Sequence, residues 1–181
     1  TLFTISGYLV FQSYESSATL SDYFEKRMRR LMPAYVVIIL LSVLAGAWLT
    51  TWPLSAYFGL ETFKYFAANI TFLNFLHPDL PGVFADNPIK AVNGALWTLK
   101  VELMFYVAVP IFVWFFARLG RWPVLVLGYV LACAWWGLFT ALAVKTGKGG
   151  FNEIARQLPG QLMFFLPGAM CYYERKRLKA L

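Results

Sequence analysis

Four stretches of the chain, residues 34–52, 96–116, 122–144 and 158–173, are apolar for about the length a helix needs to cross a bilayer. Inside hydrocarbon each backbone amide must find its partner within the protein, so runs of this kind fold as α-helices. The composition agrees: 60% of the 181 residues are hydrophobic and only 14% are charged, whereas a soluble domain is about half apolar and a quarter charged. Residues 2–11 read as the last turns of a further, partial span. Residues 63–76 are aromatic but broken by Asn69, Thr71 and Asn74, so they read as an interfacial or re-entrant helix. The expected fold is all-α: a polytopic helical membrane protein with four full spans, a partial N-terminal span and one interfacial or re-entrant helix. Residues 1–181 read as one membrane domain. The chain starts at Thr1 rather than methionine, and residues 2–11 are too short and lack the basic leader of a signal peptide. It is therefore expected to be an internal fragment.

The net charge of +7 does not point to nucleic acid. The basic residues gather at the ends of apolar runs, where the positive-inside rule places them. With four spans, Lys26, Arg27, Arg29, Arg30, Arg118, Arg121, Arg175, Lys176, Arg177 and Lys179 fall on one side. That is ten of the 16 Lys and Arg, and it makes this side cytoplasmic. Making residues 63–76 a span would put Arg118 and the C-terminal cluster opposite Lys26–Arg30, against the rule. The cysteines, Cys133 and Cys171, fit no metal or redox spacing and read as buried small hydrophobes. No metal site is expected.

Three segments carry features that chemistry can use. The first is Ser21-Asp-Tyr-Phe-Glu-Lys-Arg-Met-Arg-Arg-Leu-Met-Pro-Ala-Tyr35. Ser21 suits an N-cap, Thr19 with Asp22 fits a capping box, and Pro33 is expected to stop one helix and open the next. The arginines either bind anionic lipid and fix topology or clamp a phosphate-bearing ligand. The second is Asn93-Gly-Ala-Leu-Trp-Thr-Leu-Lys-Val-Glu102, with Phe105, Tyr106 and Pro110 beyond. Glu102 sits within an apolar run, where an ionisable group is expensive and marks a functional site by default. Helical spacing places Thr98, Glu102 and Tyr106 on one face. Lys100 points elsewhere, so the partner of Glu102 is expected on another helix, one outside this chain or within it. A structural carboxylate is the other reading. The third segment is Phe3-Thr-Ile-Ser-Gly-Tyr-Leu9, whose Ser6-Gly7 pair permits close helix contact or a local break. The single histidine, His77, reads as a loop residue, and the sequon at Asn69 reads as a chance match.

Together, in this order, the three segments resemble the membrane acyltransferase-3 family, which includes O-antigen and exopolysaccharide O-acetyltransferases. The matching pieces lie within residues 1–110, and the remainder resembles generic membrane helices. Thr98 stands where the family more often has serine, and Lys26-Arg27 replaces the usual arginine pair. The resemblance implies an integral membrane O-acyltransferase. It would move an acyl group, usually acetyl, from acyl-CoA to a hydroxyl of a cell-envelope glycan or lipid-linked sugar. Acyl-CoA would be a co-substrate, with no bound cofactor.

The resemblance also implies site residues. Glu102 and Thr98 would be catalytic. Arg27, Arg29, Arg30, Ser6, Trp97 and Tyr106 would bind acyl-CoA or acceptor. The family's presumed catalytic histidine lies upstream of the Ser-Gly segment, before this chain begins. His77 does not match it, and the fragment alone is expected to be inactive. The implied location is a bacterial inner membrane with the basic loops cytoplasmic. The residues taken alone also fit a transporter or flippase-like protein using Glu102 as a proton or substrate site, or an inactive truncated remnant.

Overall fold

A computed structural model describes residues 2–87 and 90–178. Eight α-helices follow one another among them, and no strand occurs among the described residues. They are α1 (Leu2–Glu15), α2 (Leu20–Leu49), α3 (Leu54–Tyr57), α4 (Leu60–Ile70), α5 (Leu96–Leu119), α6 (Arg121–Thr146), α7 (Gly150–Ala155) and α8 (Leu158–Leu178). At 1.5 Å per residue, the 30 residues of α2, 24 of α5 and 26 of α6 all exceed a hydrocarbon core of about 30 Å. These three are also apolar enough to cross a membrane. In α6 only 11% of the most apolar window is buried among the described residues. The fourth expected span is a helix, α8, but it does not reach the same standard of length and apolarity. The expected interfacial segment forms α4, whose 11 residues are too short to span.

The chain divides into two compact units, one of Thr1–Glu25 with Val101–Leu181, the other Lys26–Lys100. In the first unit, α1 and α8 approach backbone to backbone. A Cβ on Gly7 would run into the carbonyl of Phe165, and one on Gly168 into the carbonyl of Thr4. Small residues at a membrane helix contact permit this approach, which dispersion rather than hydrophobic burial must reward. Thr4 Oγ1 donates to the Phe164 carbonyl at 2.9 Å along the same contact. Rings then fill the interior as a continuous column. Phe3 meets Phe105 edge-on at 5.2 Å, Phe105 stacks on Phe165 at 4.0 Å, and Phe11 joins Phe165 to Phe116 and Tyr173 at 5.8–6.0 Å. Each such pair adds about 0.5–1.5 kcal/mol beyond its buried area.

In the second unit, Tyr35, Ile39, Tyr57, Tyr65, Leu80, Val83 and Leu96 form the core. Two of its tyrosine hydroxyls are placed by the backbone. Tyr35 donates to the Asn69 carbonyl at 2.6 Å, and Tyr57 to the Val43 carbonyl at 2.7 Å. Burial, followed by the neighbouring Tyr65, pushes the Tyr57 phenol up to about 12. Helix α4 ends in a Schellman arrangement: Leu73 N–H reaches the Ala68 carbonyl at 2.8 Å and Phe72 N–H the Asn69 carbonyl at 2.9 Å. The left-handed residue there is Phe72 (φ 61°) rather than glycine. Its ring lies flat on Tyr35, with centroids 4.4 Å apart, which offsets the backbone cost.

Several expectations need correction. Ser21 does not cap α2. Thr19 does, with its Oγ1 accepting from Asp22 N–H at 3.1 Å while Asp22 Oδ2 accepts from Ala18 N–H at 3.2 Å. Pro33 does not divide α2, which runs through it. Proline's φ is already helical, and the loss of one N–H is tolerable in a helix with two dozen other bonds. Prolines likewise lie inside α5 and α8, at Pro110 and Pro167. Neither cysteine is buried among the described residues: Cys133 is intermediate and Cys171 exposed. The sequon needs no correction: Asn69 is 1% exposed and donates to the Tyr65 carbonyl at 2.8 Å, which accords with a chance match.

Gly168→Val should cost about 1–3 kcal/mol, the range for overpacking, because backbone cannot yield as a side chain can. Gly137→Val, where a Cβ meets open space, is the matched control. Thermal unfolding in detergent followed by circular dichroism should show a lower midpoint for the first variant only; equal midpoints would mean that α1 and α8 do not depend on this contact.

Candidate functional site

The close approach of α1 and α8 fixes the height of Ser6, which precedes Gly7 on α1. Ser6 is 8% exposed, and its Oγ donates to Glu102 Oε1 at 2.6 Å. The costly acid on α5 therefore has one partner inside the chain. A hydroxyl is a partner that apolar periodicity cannot reveal, since serine is tolerated in membrane helices for packing alone. The only available signal was the Ser-Gly dipeptide itself, which marks where another helix can come close.

Aromatic residues lie close to the pair along α5. Glu102 is half-buried between Val101 (1% exposed) and, one turn on, Phe105 and Tyr106, both buried. Phe105 is held between Phe3 and Phe165. The backbone carbonyl of Tyr106 accepts from Tyr23 Oη at 2.9 Å. That bond ties α5 to the start of α2 within the first unit. It also offsets the proline four residues on, since Pro110 has no N–H to give this carbonyl. Ser6 engages one oxygen of Glu102, and a carboxylate has acceptor positions on two. The arrangement can hold a carboxyl group in one orientation and direct its second oxygen at a proton donor, a base or a developing charge.

Ser6, Glu102 and Tyr106 thus belong to the first unit, and the first two are joined directly. The other predicted site residues belong to the second unit. Thr98 Oγ1 donates to the Ala95 carbonyl at 2.7 Å, within the first turn of α5, where Asn93 Oδ1 also accepts from Ala95 N–H at 3.0 Å. Its hydroxyl serves the helix start. Trp97 and Arg27 are half-buried, while Arg29 and Arg30 are exposed on α2. Lys100 places its Nζ over the Phe75 ring at 5.3 Å, which accounts for a cation two residues from Glu102. His77 is half-buried, and its carbonyl accepts from Asn69 Nδ2 at 3.3 Å. It borders a cavity of about 230 Å³ with Trp52, Glu61 and Asp79. A hydrogen bond from Lys64 holds the Glu61 carboxyl below the usual range.

The Ser6–Glu102 bond should appear as coupling. In a double-mutant cycle of Ser6→Ala and Glu102→Gln, unfolding in detergent should give an interaction energy of about 1 kcal/mol or more, the upper part of the range for interhelical bonds in membranes. Strictly additive effects would show that the contact has no weight.

Comparison with known proteins shows the family of the chain. The model of a family described as an acyltransferase domain matches residues 1–181. Nodulation protein 10 of Rhizobium leguminosarum bv. viciae is 34% identical over 142 residues, covering 74% of this chain and 37% of that protein. An O-acetyl transferase of Shigella phage Sf6 is 29% identical over 107 residues, covering 58% of this chain and 31% of that protein. The chain spans about a third of the length of these relatives. No solved structure matches it significantly.

Proposed function

The chain belongs to the acyltransferase domain family, and from that premise we propose an integral membrane O-acyltransferase that moves an acyl group, acetyl in the first instance, from acyl-CoA to a hydroxyl of a cell-envelope carbohydrate. The similarity to an O-acetyl transferase supports transfer to oxygen. The observation that carries the reading is the Ser6–Glu102 hydrogen bond of 2.6 Å within an aromatic surround. A carboxyl group held at one oxygen among apolar rings is suited to orient a base, or to stabilise the base once it has taken the acceptor's proton. Transfer then runs by attack of the acceptor oxygen on the thioester carbonyl, with the thiol of coenzyme A leaving.

The remaining residues take supporting roles in this proposal. Arg29 and Arg30, exposed on α2, and half-buried Arg27 would hold phosphates of the acyl donor, as the planar guanidinium does well. Trp97, Thr98 and Tyr106 would shape the passage of donor or acceptor. The acceptor is a glycan or lipid-linked sugar. The location is a bacterial inner membrane with the arginine-rich helix ends cytoplasmic, as charge bias favours.

Two measurements on the full-length protein test the proposal. Glu102→Gln should lower acetyl transfer at least about a hundredfold, with insertion and abundance in the membrane unchanged; wild-type activity in that variant removes the assignment. Arg29→Gln with Arg30→Gln should raise KM for acetyl-CoA roughly tenfold or more and change kcat far less. An unchanged KM would send those arginines back to lipid binding alone.

A further inference from the structure

The end of the first unit away from Ser6 carries a second arrangement that acyl transfer does not use. Here α1 finishes, α5 turns into α6, and α8 runs out into its basic tail. Three guanidinium groups lie there, each over a ring: Arg118 over Trp114 at 3.4 Å, Arg121 over Tyr173 at 3.9 Å and Arg175 over Tyr172 at 4.0 Å. Tyr172 is fixed in turn by donating its hydroxyl to Glu15 Oε2 at 2.9 Å, and Arg175 Nη1 donates to the Tyr172 carbonyl at 2.9 Å. A guanidinium stacked face-on keeps its N–H groups in its own plane, pointing outward past the ring edge. Stacking therefore orients the donors without consuming them. Arg118 and Arg121 are exposed. With Arg175, Lys176 and Arg177 they outnumber the local carboxylates, Glu15 and Glu174, of which Glu174 already pairs with Arg177 at 3.3 Å.

From the same corner an apolar groove of about 640 Å³ runs between α5, α6 and α8. Leu119 and Val124 line it, each within a turn of Arg118 or Arg121. It continues past Gly128 to Trp135, Leu138 and Leu162. From Val124 to Leu138 is about 21 Å of helix at 1.5 Å per residue, most of one leaflet and more. Gly128 gives the groove its depth: a Cβ there would come within 3.1 Å of Leu166 and Phe112. The groove is lined by apolar side chains, and two of its three helices, α5 and α6, are long and apolar enough to cross a membrane.

A cationic mouth on an apolar groove of this length fits a molecule with a phosphate at one end and a hydrocarbon chain at the other. We propose that the α5–α6 corner and the groove beneath it bind an anionic glycerophospholipid of the surrounding bilayer. Its phosphate would accept from Arg118 and Arg121, and one acyl chain would lie along α6. Basic pockets at the ends of membrane helices bind anionic headgroups by this combination of charge and shape. The site stands apart from Glu102 and does not rest on the acyltransfer reading.

Native mass spectrometry of the purified chain tests this. The chain is released from vesicles of equal phosphatidylglycerol and phosphatidylcholine. It should retain phosphatidylglycerol in roughly tenfold excess. Arg118→Gln with Arg121→Gln should reduce that retention at least fivefold, and Arg118→Lys with Arg121→Lys should restore part of it. Ala134→Trp, which fills the groove from an exposed lining position, should reduce retention while leaving every arginine in place. It also keeps the test decisive if the double glutamine variant does not fold. Equal retention of both lipids, or no effect of either the arginine or the groove variant, overturns the proposal. Displacement by millimolar glycerol phosphate as readily as by lipid would make this a free-phosphate site. Preferential retention of a polyprenyl phosphate over phosphatidylglycerol would overturn the choice of lipid.

Discussion

The first unit depends on two helices touching through their backbones. In water, burying apolar surface draws helices together; in lipid the tails are as apolar as leucine, and that drive is gone. Contact must come from closeness, and closeness from the absence of side chains. Gly7 and Gly168 supply it reciprocally, each facing a carbonyl on the opposite helix. The approach holds Ser6 at the level of Glu102 and brings Phe165 against Phe105. Without it the serine would remain on its helix, but the carboxyl group would lose its donor.

Burial of a carboxyl group among rings is tolerable only with a partner. One hydroxyl at 2.6 Å is a modest partner. An arginine there would bind the acid more tightly and leave it no further chemistry. A serine satisfies one oxygen and leaves the group able to interact again.

Much of the architecture was legible in the sequence, because bilayer length and apolar run length are the same constraint. Residues 96–116 and 122–144 fall within α5 and α6, and all but the last three of residues 34–52 within α2. The stretch read as an interfacial helix, residues 63–76, is helical only as far as Ile70, in an α4 of 11 residues that is too short to cross. Glu102 was legible as well, since charge within an apolar run is conspicuous. Its partner was not, because a serine in a membrane helix looks the same whether it packs or donates. Pro33 misled for a related reason: local preference says stop, but a long helix in an apolar medium has no cheaper place to put its amides. Ser21 misled because two adjacent capping signals compete, and the one with a reciprocal acid, Thr19 with Asp22, prevailed. Phe72 in a left-handed conformation had no sequence signal, since it depends on a distant ring, Tyr35.

The connection between α5 and α6 is a single residue, Gly120, at φ 84°. So short a link leaves no slack for the two long apolar helices to choose their orientations separately. Where one of the two helices goes the other must follow, and the arginines flanking Gly120 belong to both. The course of about 50 residues of chain is thus set by the backbone of one glycine.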